Sequence, residues 1–522
     1  MPRWTWMIAW TMAACAGCAP LKSQLASKRT ATIAVTESER VATSGPESES
    51  VRPAQPIQPV QAIRVDDQFV SSMSDVDGWA PVETALPVEV VDVSPPVVEI
   101  NLPSALAVVG GTHPIVGLAR WRTKEAYAEF SAAKALWLPS IRAGLSIHRH
   151  DGNYQASNGA IVDVNRNSLQ YGLGVGATGA GTTQRPGLVA QFHLADAIFR
   201  PEITEKTAWA RGHSAGATLN AQLRDVAVAY TDLVRNAQEV AILKTSHQTF
   251  EELLTLVDNF AAAGEGLQSD ADRVRTETLL NENRLVATQQ RMVVASARLT
   301  QTMSYDVSVE LTPLDVNLVP LDLVASAEDV TALVQTGLSM RPELKASRAL
   351  VAAACKAYSR EKYASMVPSV LLGFSTGGFG GGLDDNVNDV DSRYDFDAML
   401  SWEVRQFGLG EKAARQAASA RVQQARYEAV AQMDRIAGQV RDAAARVRWT
   451  RQQISITQQA IEVATDSYRR NRDRIRDGEG LPIEVLQSVQ SLEASQLAYL
   501  QAVSDHNTAQ FQLQWAMGYP VG

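Results

Sequence analysis

The chain has 522 residues, 45% of them apolar and 20% charged, with a formal net charge of −9. It is too long for one simple domain, and its acidic balance excludes an ordinary nucleic-acid binder, which presents a basic face. Three cysteines, Cys15, Cys18 and Cys355, build neither a disulfide framework nor a thiolate metal cluster. Cys355, in the alanine-rich run 352–357, reads as a small packed thiol.

At the start of the chain, Arg3 precedes an apolar stretch from Trp4 to Ala14, then Cys15-Ala16-Gly17-Cys18-Ala19-Pro20. A positive residue, a short apolar core and small residues before a cleavage point make a secretory signal. No other window reaches the ~18 apolar residues of a membrane-spanning helix. Ala16-Gly17-Cys18 resembles a bacterial lipobox. That resemblance implies a lipoprotein signal peptide over 1–17, acylation of Cys18 with Cys15 as the competing acceptor, and, with Ala19 next, sorting to the outer membrane. Residues 18–108 are rich in Ser, Thr, Glu, Val and recurrent proline, and read as a mostly extended linker.

The rest is a duplication. His113-Pro114 opens a helical run that ends at Leu138-Pro139-Ser140-Ile141; Arg341-Pro342 opens another that ends at Val367-Pro368-Ser369-Val370. Downstream, Gly264-Glu265-Gly266-Leu267 matches Gly478-Glu479-Gly480-Leu481. The units are 109–305 and 331–520, joined by a connector over 306–330. Each reads as short helix, strand, loop, strand, long helix, elbow, helix. The long helices, expected near 203–262 and 412–476, match in length two shorter helices stacked end to end, near 115–136 with 266–303 and 341–365 with 482–517. After the second elbow Val485, Val489, Leu492, Tyr499 and Val503 form an apolar seam.

The strands alternate with period two. Ile141, Ala143, Leu145 and Ile147 form one apolar row, Val370, Leu372 and Phe374 another, and Tyr394, Phe396, Ala398, Leu400, Trp402 and Val404 a third. Apolar-out, polar-in segments of about 10 residues with marginal aromatics mark a transmembrane β-barrel. In the first unit Leu188–Leu194 is the expected partner strand, which makes 150–186 an enlarged outer loop, with a hairpin of its own. In the second unit Gly377–Gly382 and Asp384–Asp391 read as a smaller loop. The fold class is therefore mainly α with transmembrane β: four barrel strands per chain plus long antiparallel α-helical hairpins. Four strands cannot close a barrel, so the chain must oligomerise.

This duplicated order, with Arg341-Pro342-Glu343-Leu344, resembles the TolC-type outer membrane efflux protein family over about residues 110–520. The resemblance implies a homotrimer sharing a 12-stranded barrel in the outer membrane above a periplasmic α-helical tunnel. It also implies the role of exit duct, for small molecules, in a tripartite system with a periplasmic adaptor and an inner-membrane pump. Gly264, Gly266, Gly478 and Gly480 would form the elbows that dock the adaptor. Asp270 and Glu484 would ring the periplasmic aperture. Gln487 stands where the family often has a second acid, and Asp272 is the substitute. The arginines 469, 470, 472, 474 and 476 either pair with those acids or form a solvated face. The rival reading is a periplasmic coiled-coil adaptor or scaffold lipoprotein, which does not explain duplicated strand pairs. No catalytic constellation, cofactor site or metal site is found. His148 and His150 share a strand face but lack a third ligand. Outer-membrane lipids and copies of the chain are the expected partners, with no nucleic acid.

Overall fold

The computed structural model describes residues 96–138, 140–141, 143–174, 188–264, 266–324, 329–384, 386–477 and 479–521. Cys18, the linker to residue 95 and Gly478 lie outside them.

The duplication is visible element by element. α1 (Leu102–Thr112) and α5 (Val330–Met340) lead into α2 (Pro114–Lys134) and α6 (Pro342–Tyr363). Both breaks fall on the residue before proline, His113 and Arg341, at ψ 123° and 122°, because the proline ring disfavours a helical predecessor. Each proline then opens the next helix, where its missing N–H costs nothing. Matching 3₁₀ turns follow, Ala135–Trp137 and Ala364–Met366.

The first unit therefore begins earlier than expected. α1 is the counterpart of α5, at the spacing that separates the two prolines. Residues 97–108, expected within the linker, form β1 (Val97–Ile100) and most of α1, with Ala105 and Val109 fully buried. Asn101 caps α1 by accepting from the Ser104 N–H at 2.9 Å. Leu102–Trp137 is, against expectation, long and apolar enough to cross a membrane by length and composition. It is broken at His113 into two helices with separate buried faces.

α3 (Leu194–Ala262) and α7 (Leu409–Arg476) hold 69 and 68 residues, roughly 100 Å each. α3 starts well before 203 and runs through Pro201, whose ring offers no N–H to the carbonyl four residues back. α4 (Gln268–Met303) and α8 (Pro482–Ala516) complete the hairpins. The stacking is direct: His113 Nε2 contacts the Thr302 carbonyl at 3.1 Å, and Arg341 Nη1 donates to the Ala516 carbonyl at 3.4 Å. Thus α2 sits on the end of α4, and α6 on the end of α8. The pairs hold 21 and 36, and 22 and 35 residues, somewhat short of the long helices beside them. Packing gives the lateral order α2/α4, α3, α6/α8, α7.

β1 pairs in parallel with β6 (Glu310–Pro313), Val97 facing Glu310, and the other strands form a second sheet. β2 (Ser140–Ile141) and β3 (Ala143–Gln155) follow one line, with β2 paired to β5 (Leu188–His193) and β3 to β4 (Ile161–Gly174). β4 and β5 both pair with β7 (Ser369–Leu383), which pairs with β8 (Asn388–Ser401). Gly174 faces Ser375 and Leu188 faces Phe374, so β4 and β5 follow one line along β7. The hairpin expected inside 150–186 exists, but it lies in the sheet rather than in an outer loop. Among the described residues this larger sheet has four strand lines.

Register puts the apolar alternates together. Leu145 opposes Tyr171, Ile147 opposes Leu169, Phe374 opposes Phe396 and Val370 opposes Leu400. Leu145, Ile147, Phe396 and Leu400 are exposed, and such an apolar face on a sheet marks a contact with lipid or protein. Gly377–Gly382 is strand, not loop. Gly172 opposes Gly377, and a Cβ on either would strike the other strand's backbone; Tyr171 lies across Gly378. Glycine is needed for that approach, and the aromatic ring covers the gap. β8 ends before Trp402 and Val404, both exposed.

Candidate functional site

The two elbows are built alike. At the first, the Gly266 N–H donates to the Phe260 carbonyl at 3.0 Å; at the second, Gly480 donates to Arg474 at 3.0 Å. This six-residue closure ends a helix by satisfying a free carbonyl. Gly264 adopts φ +77°, the left-handed region open to glycine. A Cβ at Gly480 would meet the Ile475 nitrogen at 2.9 Å, and one at Gly266 the Phe260 Cβ at 3.2 Å, so both positions require a close backbone pass.

The elbows lie at the same end of the molecule. Phe250, Val257, Ala271 and Val274 of the first hairpin share one buried cluster with Ile475, Val485, Leu486 and Val489 of the second. The expected α8 seam is real here: Val485, Val489 and Val503 are buried. Its interior also carries Glu493, 3% exposed, which accepts from Asn281 Nδ2 at 2.8 Å and pairs with Arg284 at 2.8 Å. That link between α4 and α8 was not read from the sequence; a lone Glu among seam positions was its only signal.

The acids stand just beyond the elbows. Asp270 and Glu484 occupy the first turns of α4 and α8, where the helix dipole favours negative charge. Both are half-buried, while Asp272 and Gln487 are exposed. Arg474 donates to Glu484 at 3.0 Å across the second elbow. Across the first, Arg275 donates to both oxygens of Asp258 at 3.1 Å and to Asp272 at 3.2 Å. Each hairpin thus has one clasp across its turn, of opposite polarity: the acid is on the descending helix in the first, the base in the second. Asp270 makes no ion pair among the described residues. Of the five arginines before the second elbow, Arg474 alone pairs with an aperture acid; Arg469 and Arg472 face Asp466 and Asp473 at 3.4 and 3.5 Å. Asp258 and Arg275 were missed because they are far apart in sequence and meet only when the hairpin closes.

Residues 333–519 match the family model described as outer membrane efflux protein. Among solved structures the chain is similar to the outer membrane protein VceC of Vibrio cholerae, with TM-score 0.66 and 16% identity over 81% of this chain and 97% of that one. It is similar to the CmeC outer membrane channel of Campylobacter jejuni, with TM-score 0.68 and 15% identity over 81% and 87%. The open state of the Neisseria gonorrhoeae MtrE outer membrane channel follows at 0.62 and 14%, over 81% and 89%. A sequence comparison with curated proteins gives no match. The chain has the fold of the TolC-like outer membrane channels.

Proposed function

We propose that this chain is the subunit of an outer-membrane exit duct that passes small molecules outward from a periplasmic adaptor and an inner-membrane pump. The carrying observation is the four-strand sheet with an outward apolar face, continuous with roughly 100 Å helices that end in two acid-bearing elbows. Three copies would contribute twelve strands and close a barrel that one copy leaves open. The periplasmic scaffold reading has no use for such a sheet.

In this duct Cys18 carries the lipid, the elbows Gly264–Gly266 and Gly478–Gly480 receive the adaptor, and Asp270 and Glu484 line the aperture with Asp272 and Gln487 beside them. Rings of carboxylates in a narrow pore attract cations and set conductance. Glu484 is clasped by Arg474 at 3.0 Å with both side chains substantially exposed. Exposed pairs contribute little, about 0–1 kcal/mol, which suits an end that opens on contact with a partner.

The test is single-channel recording of the purified oligomer in a planar bilayer. Small, cation-selective currents are expected, with Asp270→Ala and Glu484→Ala raising conductance or weakening cation selectivity. Unchanged currents in both variants would move the constriction elsewhere; a monomer that does not insert would end the duct reading.

A further inference from the structure

At its middle α3 shows two opposite faces. Val226, Tyr230, Leu233 and Val234 lie under α1, β1, β6 and the connector; Tyr230 reaches Ile100 and Asp315, and Gln238 reaches Val316. At about 100° per residue, Asp225, Val228 and Asp232 fall on the other side. There α4 and α8 both pack on α3 but barely touch each other. A cleft of about 410 Å³ opens between them over Val228.

The walls of the cleft carry charges of both signs that do not cancel each other. On the α4 side Arg298 is exposed and makes no ion pair among the described residues. On the α8 side Asp505 is exposed, and its partner is a neutral amide, Gln501 Nε2 at 2.9 Å. The α3 carboxylates, Asp225 and Asp232, are already held at 2.6 Å by Arg224 and Arg235. One guanidinium and one carboxylate thus remain free on facing walls. Toward the elbows Arg235 and Gln501 also line a second cavity of about 250 Å³, with Leu497 and Leu500 in its wall. The charges of that cavity are spent on each other, Arg235 and Arg291 on Glu239, so it offers chiefly apolar contact.

A ligand with an ammonium alone would meet Arg298, and one with a carboxylate alone would meet three aspartates. A zwitterion satisfies both walls with charge-assisted hydrogen bonds. We propose that this cleft binds a zwitterion of amino-acid or dipeptide size, its carboxylate on Arg298, its ammonium on Asp505 and an apolar side chain toward Leu497 and Leu500. Its place in the lumen rests on the duct reading. The connector layer occupies one face of the helical wall, and three such layers inside a tunnel would fill it, so the cleft lies on the luminal face. Exported molecules bearing both charges would pause there.

Single-channel currents of the purified oligomer are recorded with leucylleucine, its N-acetyl form and its C-terminal amide added on both sides. The zwitterion should interrupt the current at about tenfold lower concentration than either capped form, the worth of one charge-assisted hydrogen bond. Arg298→Gln should erase the difference between the zwitterion and the amide, and Asp505→Asn that between the zwitterion and the N-acetyl form. Equal block by all three compounds, or a preference that survives either substitution, overturns the cleft and leaves the duct standing; this is the outcome if Arg298 and Asp505 merely turn to each other. If the oligomer gives no currents the duct reading falls, and calorimetric titration of the purified chain with the same three compounds decides the cleft by the same preference.

Discussion

The guanidinium of Arg341 stands 4.0 Å from the centre of the Trp515 ring, while its other nitrogens grip Glu343 at 2.9 and 2.8 Å. Arg341 is 2% exposed and also donates to Ala516. Gly518, at φ +89°, lies so close that a Cβ there would meet the Arg341 nitrogen at 2.8 Å. The sequence Arg341-Pro342-Glu343-Leu344 is thus a joint that fixes the start of α6 on the end of α8. Lysine keeps the charge and loses the planar fork. Arg341→Lys should therefore destabilise the protein by about 1–3 kcal/mol, read from chemical denaturation; a change near zero would mean the joint is held by Leu344 and the backbone alone.

The Gly172–Gly377 pair ties the strands of the two units. Gly377→Val should prevent β4 from reaching β7, at a cost on the order of 3 kcal/mol or more, and should abolish assembly on a semi-native gel. Thr376→Val, one position away and exposed, should assemble normally. Normal assembly of Gly377→Val would mean that the strands do not approach as described.

Three buried side chains of α8 hold the connector between the units. Asn507 Oδ1 and Gln510 Oε1 accept from the N–H groups of Leu321 and Val324 at 2.8 and 3.0 Å; the Asn507 amide donates to the Val319 carbonyl at 2.9 Å, and His506 Nε2 meets the Leu321 carbonyl at 3.1 Å. Gln510 is fully buried. Gln510→Ala leaves backbone groups unpaired inside the protein, an expected loss of about 1–3 kcal/mol. Faster proteolysis around 319–324 would accompany it; unchanged stability and cleavage would mean that water replaces the amide.

Tyr230 donates to Asp315 Oδ2 at 2.5 Å. Burial first, and then Asp315, push its pKa above the ordinary value of 10.0. The folded chain therefore keeps a proton that the unfolded chain loses. This contribution is full below pH 10 and declines as pH rises above it. Tyr230→Phe should flatten the loss of stability above that pH in denaturation curves; parallel curves for the two proteins would contradict the shift.

Much of this was legible in the sequence, for physical reasons. Leu145, Ile147, Phe396 and Leu400 betrayed their sheet face because a strand shows alternate residues to opposite sides. The elbows were legible because a sharp helix reversal needs glycine. Other features depended on distant partners. The glycines at 377–382 look like a loop until Gly172 and Tyr171 are placed beside them. The long helix expected from about residue 203 already runs from Leu194, through Pro201. β1 and α1 were hidden by proline-rich sequence upstream, although Asn101 and Pro103 are ordinary helix-start signals. The clasps at Asp258–Arg275 and Asn281–Glu493 join residues that composition and periodicity cannot pair.

Gly174 and Leu188 occupy consecutive rungs beside β7. They face Ser375 and Phe374, so β7 is paired along that side without a gap from Leu383 to Ser369. A single strand of the second unit is thus the ruler for two separate pieces of the first, and a one-residue slip of either piece would turn its apolar alternates to the wrong face.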